Sequence, residues 1–202
     1  MTSEHALDRT ARLISLDLFD GKASASQIVD GLLGTTVRLS ADAANLASAN
    51  GQTALCTLFG QIAMMGIGID LDIPEVPLLI PQPPLEGEEL RAALLDYASD
   101  LIPGLRCGVG LGKCDLSFVL GDGAAGGTDV LRVAGADWSC AVGPAGEIAV
   151  RRWEGDWPIG ALLAAVAGAA EALRAALQRI AVSTGVPAEC RVRLPAGTVG
   201  EA

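Results

Sequence analysis

The sequence predicts an α/β fold: a Rossmann-like, mixed but largely parallel sheet with flanking helices. Three observations predict it. Strand, loop, helix and strand patterns follow one another between residues 35 and 80. Five short strand candidates then crowd into residues 106–153, separated by glycine-rich turns. Last, Trp157–Ile180 (WPIGALLAAVAGAAEALRAALQRI) repeats its apolar side chains at helical spacing. With 202 residues and 50% hydrophobic side chains, one domain spanning 1–202 can bury a sizeable core.

Residues 6–19 (ALDRTARLISLDLF) read as a short amphipathic helix or arm, with 1–20 as an N-terminal arm. Thr35–Ser40 (TTVRLS) alternates and is β-branched, so it reads as a strand. A small-residue loop, ADAANLASANGQ, follows. TALCTLFGQIAMMG then places Leu55, Leu58, Phe59, Ile62 and Met65 on one helical face. IGIDLDIPEVPLLI is a second strand and its exit. Together these make a βαβ unit, which implies a parallel pair. After a proline-rich loop, ELRAALLDYASDLI is a helix, with Leu90, Leu94, Tyr97 and Leu101 aligned and Pro103–Gly104 as its stop. The strand candidates are RCGVGLG, DLSFVLG, VLRVAG, WSCAVG and EIAVRRW, and CRVRL is a possible last strand.

Is the long apolar stretch a membrane span? Its uncharged run, Pro158–Ala170, is shorter than the ~20 residues a bilayer requires. Glu171 and Arg174 then interrupt it. Alanine favours helix, and Pro158 suits a first turn. The stretch is a packing helix ending near Gly185–Pro187, with Glu171 either a buried partner of an arginine or, as the commoner case, on an exposed edge beside Arg174.

A net charge of −10 gives no electrostatic footprint for nucleic acid or an anionic membrane surface. The polar start, MTSEHALDRT, is no secretory signal. Cys56, Cys107, Cys114, Cys140 and Cys190 form no CxxC pair, which argues against structural zinc and for reduced thiols in a cytoplasmic protein. His5 is the only histidine, so a Ser-His-Asp or Cys-His arrangement lacks its usual base.

A phosphate would sit on a glycine-rich turn after the first strand, at a helix N-terminus. That turn reads Ala41-Asp42-Ala43-Ala44-Asn45, without GxGxxG, and Asp42 puts negative charge where phosphate needs room. Gly108-Val-Gly110-Leu-Gly112-Lys113 looks phosphate-friendly but lacks P-loop spacing; a strand end with a turn is the commoner reading. GDGAAGG, from Gly121, is most simply a turn, with Asp122 either turn-forming or ligand-facing. Arg9 and Arg12 lie three apart on one helical face, and their guanidinium forks suit phosphate oxygens or a solvated face paired with Glu4 and Asp8.

Three features in this order resemble the ThiF/MoeB-like superfamily, the fold of ubiquitin-activating enzymes and their bacterial relatives. The first is the arm RTARLISLDLFDG, where Arg9 and Arg12 match the two arginines of an Arg-Tyr-x-Arg-Gln segment and Thr10 and Leu13 replace its Tyr and Gln. The second is the βαβ unit. The third is ADWSCAV…WPIGALLAAVAGAAEALRAAL, like a late strand, Pro-x-Gly turn and Ala-rich helix of that family. The GxGxxG, the paired CxxC motifs and a thioester cysteine are missing. Asp70 and Asp72 are candidates for the acidic ribose ligand by position only.

The resemblance therefore implies an inactive adenylation half, not catalytic alone but part of an ATP-dependent activating enzyme. Its partners would be an active half or second protomer and a ubiquitin-like protein. Arg9 or Arg12 would reach the partner's ATP in trans, and this chain would hold no cofactor or metal of its own. The alternatives are an autonomous nucleotide- or small-molecule-binding α/β protein around Gly108–Lys113, and a purely structural subunit.

Overall fold

A computed structural model describes residues 3–82, 84–102, 104–124, 130–148, 153 and 155–186. Helices α1 (Ser3–Asp17) and α2 (Ala25–Leu33) lead into β1 (Thr36–Ser40). Next come α3 (Ala43–Leu46), α4 (Ala49–Met64), β2 (Gly68–Asp72), α5 (Leu90–Leu101) and β3 (Cys107–Gly108). The chain continues through β4 (Leu116–Leu120), β5 (Val130–Ala136), β6 (Ser139–Pro144) and α6 (Ile159–Ser183). The six strands form one sheet in the order β3-β2-β1-β4-β5-β6. All neighbours are parallel except β5 and β6, which form an antiparallel hairpin. This is the mixed, largely parallel α/β sheet the sequence predicts.

The two faces of the sheet differ. Register places Val37, Leu39, Ile69, Leu71, Phe118, Leu120 and Val133 on one face, and all are fully buried. Each large side chain buried there contributes about 1.5–3 kcal/mol. Helix α6 lies on this face: Gly168 approaches Val133 and Leu58 of α4. A Cβ on Gly135 would overlap the Gly160 carbonyl, so strand and helix backbones touch there without side chains between them. The opposite face presents Arg38, Ser40, Asp70, Asp72, Ser117 and Arg132. No helix crosses it between β3 and β4; residues 109–115 do so as an irregular strap.

Helix α6 is long and apolar enough to span a membrane by length and composition. Its Ala161, Ala164, Ala165, Ala169, Ala172, Ala176, Leu177 and Ile180 are buried, so it packs as a core helix. Glu171 does pair with Arg174, at 2.7 Å, but both are half-buried rather than on an open edge.

The structure departs from the sequence reading in three places. Helix α2 was not foreseen. Its signal is a capping box: the Ser24 side chain accepts from the Gln27 amide, and Gln27 accepts from the Ser24 amide. The expected loop at residues 41–52 contains α3 and the first turn of α4, because Asp42 and Ser48 cap them by accepting from the amides of Asn45 and Gly51. Glu147 and Ile148 are not strand; their amides turn back to the Pro144 carbonyl. The rest of EIAVRR and all of CRVRL lie outside the described residues.

Candidate functional site: the crevice between β1 and β4

After β1 the chain moves toward β2, and β4 enters on the other side of β1. The loops leaving β1 and β4 therefore diverge, and the crevice between them is where doubly wound sheets bind nucleotides. In this chain its own side chains fill the crevice. Asp42 Oδ1 accepts from the Asn45 backbone amide at 2.8 Å and from Asn45 Nδ2 at 2.9 Å. Asn45 Nδ2 also donates to Asp122 Oδ1 at 2.8 Å. One buried carboxamide thus ties the turn after β1 to the turn after β4.

That bridge needs Gly121, at φ +65°. A Cβ there would overlap the Asn45 carboxamide and lie 2.8 Å from Trp153 Nε1. Asn45 Oδ1 and Trp153 Nε1 are both buried, with no hydrogen-bond partner among the described residues. Beneath the turn, buried Arg132 donates to the carbonyls of Gly121 and Gly123, the latter at 3.2 Å. Its charge is spent on holding the turn.

Such a site handles a triphosphate poorly. Asp42 and Asp72 are exposed at the ends of β1 and β2, and Asp122 is half-buried at the end of β4. The Asn45 amide at the start of α3 is already taken by the Asp42 carboxylate. Asp72 accepts from Ser40 Oγ at 3.3 Å, where an acidic ribose ligand would stand. Asp70 shares that sheet face but lies two residues earlier and is buried against Arg38, so only Asp72, exposed at the strand end, keeps the position expected of that ligand.

The Gly108–Lys113 run is also engaged. The Leu111 amide donates to Asp70 Oδ1 at 3.1 Å, and Arg38 donates to Asp70 Oδ2 at 2.7 Å and to the Gly112 carbonyl at 3.0 Å. Burial alone would push the Asp70 carboxyl up; the bonds from Arg38 and Leu111 outweigh it and hold the pKa below its ordinary value. The loop therefore cradles its own carboxylate rather than a phosphate.

The other candidates lie apart from the crevice. Arg9 and Arg12 are exposed on α1, and Arg12 Nε pairs with Asp8 at 2.9 Å. The His5 side chain and Cys190 lie outside the description. Cys56, Cys107, Cys114 and Cys140 are free. Burial pushes the Cys56 thiol up to about 12 and Cys107 to about 11, so neither is a poised thiolate. Among the described residues no group of three or more His, Cys, Asp or Glu is placed to hold a metal. A cavity of about 190 Å³ opens between α4, α5 and Gln82, Pro84 and Leu85, lined by uncharged side chains including Cys56, Gly60, Met64 and Tyr97. It is smaller than the ~300 Å³ at which ligand pockets usually begin.

Sequence reasoning singled out Asp42 and Asp122 but missed Asn45, which joins them. The signal was the cap itself, since Asp42 is a favoured N-cap residue whose oxygen accepts from the amide three residues on, that of Asn45. No local pattern says that Asn45 reaches a turn 77 positions away.

No protein-family model matches the chain, and no curated protein is significantly similar to it. Among solved structures, it resembles that of selenomethionine PaaA, with a TM-score of 0.52 and 14% identity, covering 91% of this chain and 75% of that one. At that identity the likeness is one of fold.

Proposed function

We propose that this chain is the non-catalytic, adenylation-type half of an activating enzyme for a ubiquitin-like protein, acting in the cytoplasm through an active partner. One observation carries the reading. The strand order of a nucleotide-binding sheet is retained, while the crevice is closed by the Asp42–Asn45–Asp122 bridge. A domain that keeps the scaffold and lacks the pocket suits a role in supporting a neighbour's chemistry. The arm and the Ala-rich helix add the resemblance in sequence. Arg9 and Arg12, exposed on α1, are free of the crevice and available to a partner's ATP, where a guanidinium would stabilise charge developing on phosphate. The autonomous nucleotide-binding reading is weaker, because Asp70 already occupies the glycine run.

The test begins with the isolated chain and Mg-ATP. No rise in melting temperature is expected. A saturable rise would overturn the closed-crevice reading. The tagged chain is then used to capture its partner from native cells, and the complex is assayed for ATP–pyrophosphate exchange. Exchange is expected, together with recovery of a chain carrying an intact GxGxxG turn; a complex without exchange would refute the assignment. Replacing Arg9 and Arg12 by Ala should lower exchange without unfolding the chain, and unchanged exchange would remove their role.

A further inference from the structure

The chain has seven aromatic residues. Phe19, Phe59, Phe118 and Trp153 are buried, and Tyr97 is half-buried. The remaining two, Trp138 and Trp157, are 61% and 57% exposed, and they touch: their ring centroids lie 6.4 Å apart at a tilt of 39°. Each occurs in an Asp-Trp dipeptide, Asp137-Trp138 and Asp156-Trp157, and both carboxylate-bearing residues are exposed.

The pair is mounted rigidly. Trp138 sits in the β5–β6 turn, where Asp137 takes a left-handed backbone at φ +46°. Trp157 immediately precedes α6. Asn50 of α4 donates to the Gly155 carbonyl at 2.9 Å, and the Gly160 amide donates to the Asp137 carbonyl at 2.6 Å. The Asp137 side chain occupies the place a Cβ on Gly155 would take. Five to nine residues after Trp157, Leu162, Leu163 and Val166 are exposed along the first turns of α6.

We infer that Trp138 and Trp157 form a docking clasp for a protein segment that presents arginine or lysine beside apolar side chains. Indole faces attract cations through their quadrupole. The two flanking aspartates and a chain charge of −10 select the same sign. Arginine suits the clasp well, since its planar guanidinium stacks on a ring while reaching a carboxylate. The uncharged Leu162, Leu163 and Val166 surface receives the apolar side of the segment. This inference is independent of how the β1–β4 crevice is read.

The probe is a blocked nonapeptide alternating leucine and arginine, and its control replaces arginine with glutamate. Binding is followed by tryptophan fluorescence, to which the two exposed indoles respond more than buried Trp153. Saturable binding of the arginine peptide is expected, weakening with salt. Trp138→Ala and Trp157→Ala should each weaken it by roughly three- to tenfold, and Trp138→Phe should lose less. Asp137 supports the loop, so Asp156→Asn tests the charge; it should weaken binding with an unchanged melting temperature. Equal binding of the glutamate peptide, or no binding at millimolar concentration, would overturn the proposal. So would sedimentation showing that the wild-type chain pairs with itself through these indoles, with dimer lost in Trp157→Ala.

Discussion

Replacing Asp70 by Asn tests the buried pair that anchors the strap over the second sheet face. Asp70 is 1% exposed and accepts two hydrogen bonds from Arg38, at 2.7 and 3.0 Å, and one from the Leu111 amide. Asparagine can keep the amide bond, but its NH2 or its neutral oxygen replaces a carboxylate facing the guanidinium. Breaking a fully buried ion pair costs about 3–5 kcal/mol. The Arg38 side chain is 37% exposed, so water resolvates part of the stranded charge, and about 2 kcal/mol is the better figure. For a chain of this size that lowers the melting temperature by about 4–8 °C. The assay is thermal denaturation at neutral pH, repeated in acid. Because the folded-state pKa lies below the ordinary value, the carboxylate's contribution is present above the unfolded pKa of about 3.9. It is lost as pH falls through the folded value, so wild type and Asp70→Asn should converge in acid. A variant melting within 2 °C of wild type at pH 7 (on the scale of roughly 2–4 °C per kcal/mol) would refute the reasoning, as would a gap that widens in acid.

Three further outcomes are expected. Gly135→Ala should destabilise by at least about 1–3 kcal/mol, because its methyl meets the Gly160 backbone, whereas Gly60→Ala in α4 meets nothing within 4 Å and should stabilise by up to ~1 kcal/mol; equal effects in chemical denaturation would contradict this packing. Asn45→Asp places a carboxylate between Asp42 and Asp122, so it should destabilise more at pH 7 than at pH 4; a pH-independent loss would show that charge is not what the carboxamide separates. With iodoacetamide at pH 8, Cys56 should alkylate slowly, since burial keeps it protonated; modification at a free-thiol rate, read by peptide mass spectrometry, would place it at the surface.

Much of the fold was legible because it is written in local periodicity. Val37 and Leu39 alternate with Arg38, and Leu55, Leu58, Phe59 and Ile62 repeat at helical spacing. The short segments were harder. Helix α2 and the start of α4 depend on single capping hydroxyls at Ser24 and Ser48, which a composition-based reading takes for loop. The absence of a phosphate turn was readable from Asp42, but its occupation by Asn45 was not. That contact, like Arg38 on Asp70, joins residues brought together by strand order, and Trp138 meets Trp157 through the packing of α6 on the β5–β6 hairpin. The glycine run at 108–112 looked open for the same reason: its partner, Asp70, belongs to another strand.

The link between β3 and β4 has a consequence in simple reach. It must pass three strand positions, about 14 Å at ~4.8 Å each. Residues 109–115 wound as a helix would extend only about 10 Å, but stretched out they reach about 24 Å. The link is thus too short to coil and long enough to lie flat, which fixes this side of the molecule as a thin sling. A third structural layer over β1 and β2 cannot grow from this connection by substitution; it requires inserted residues or a second molecule.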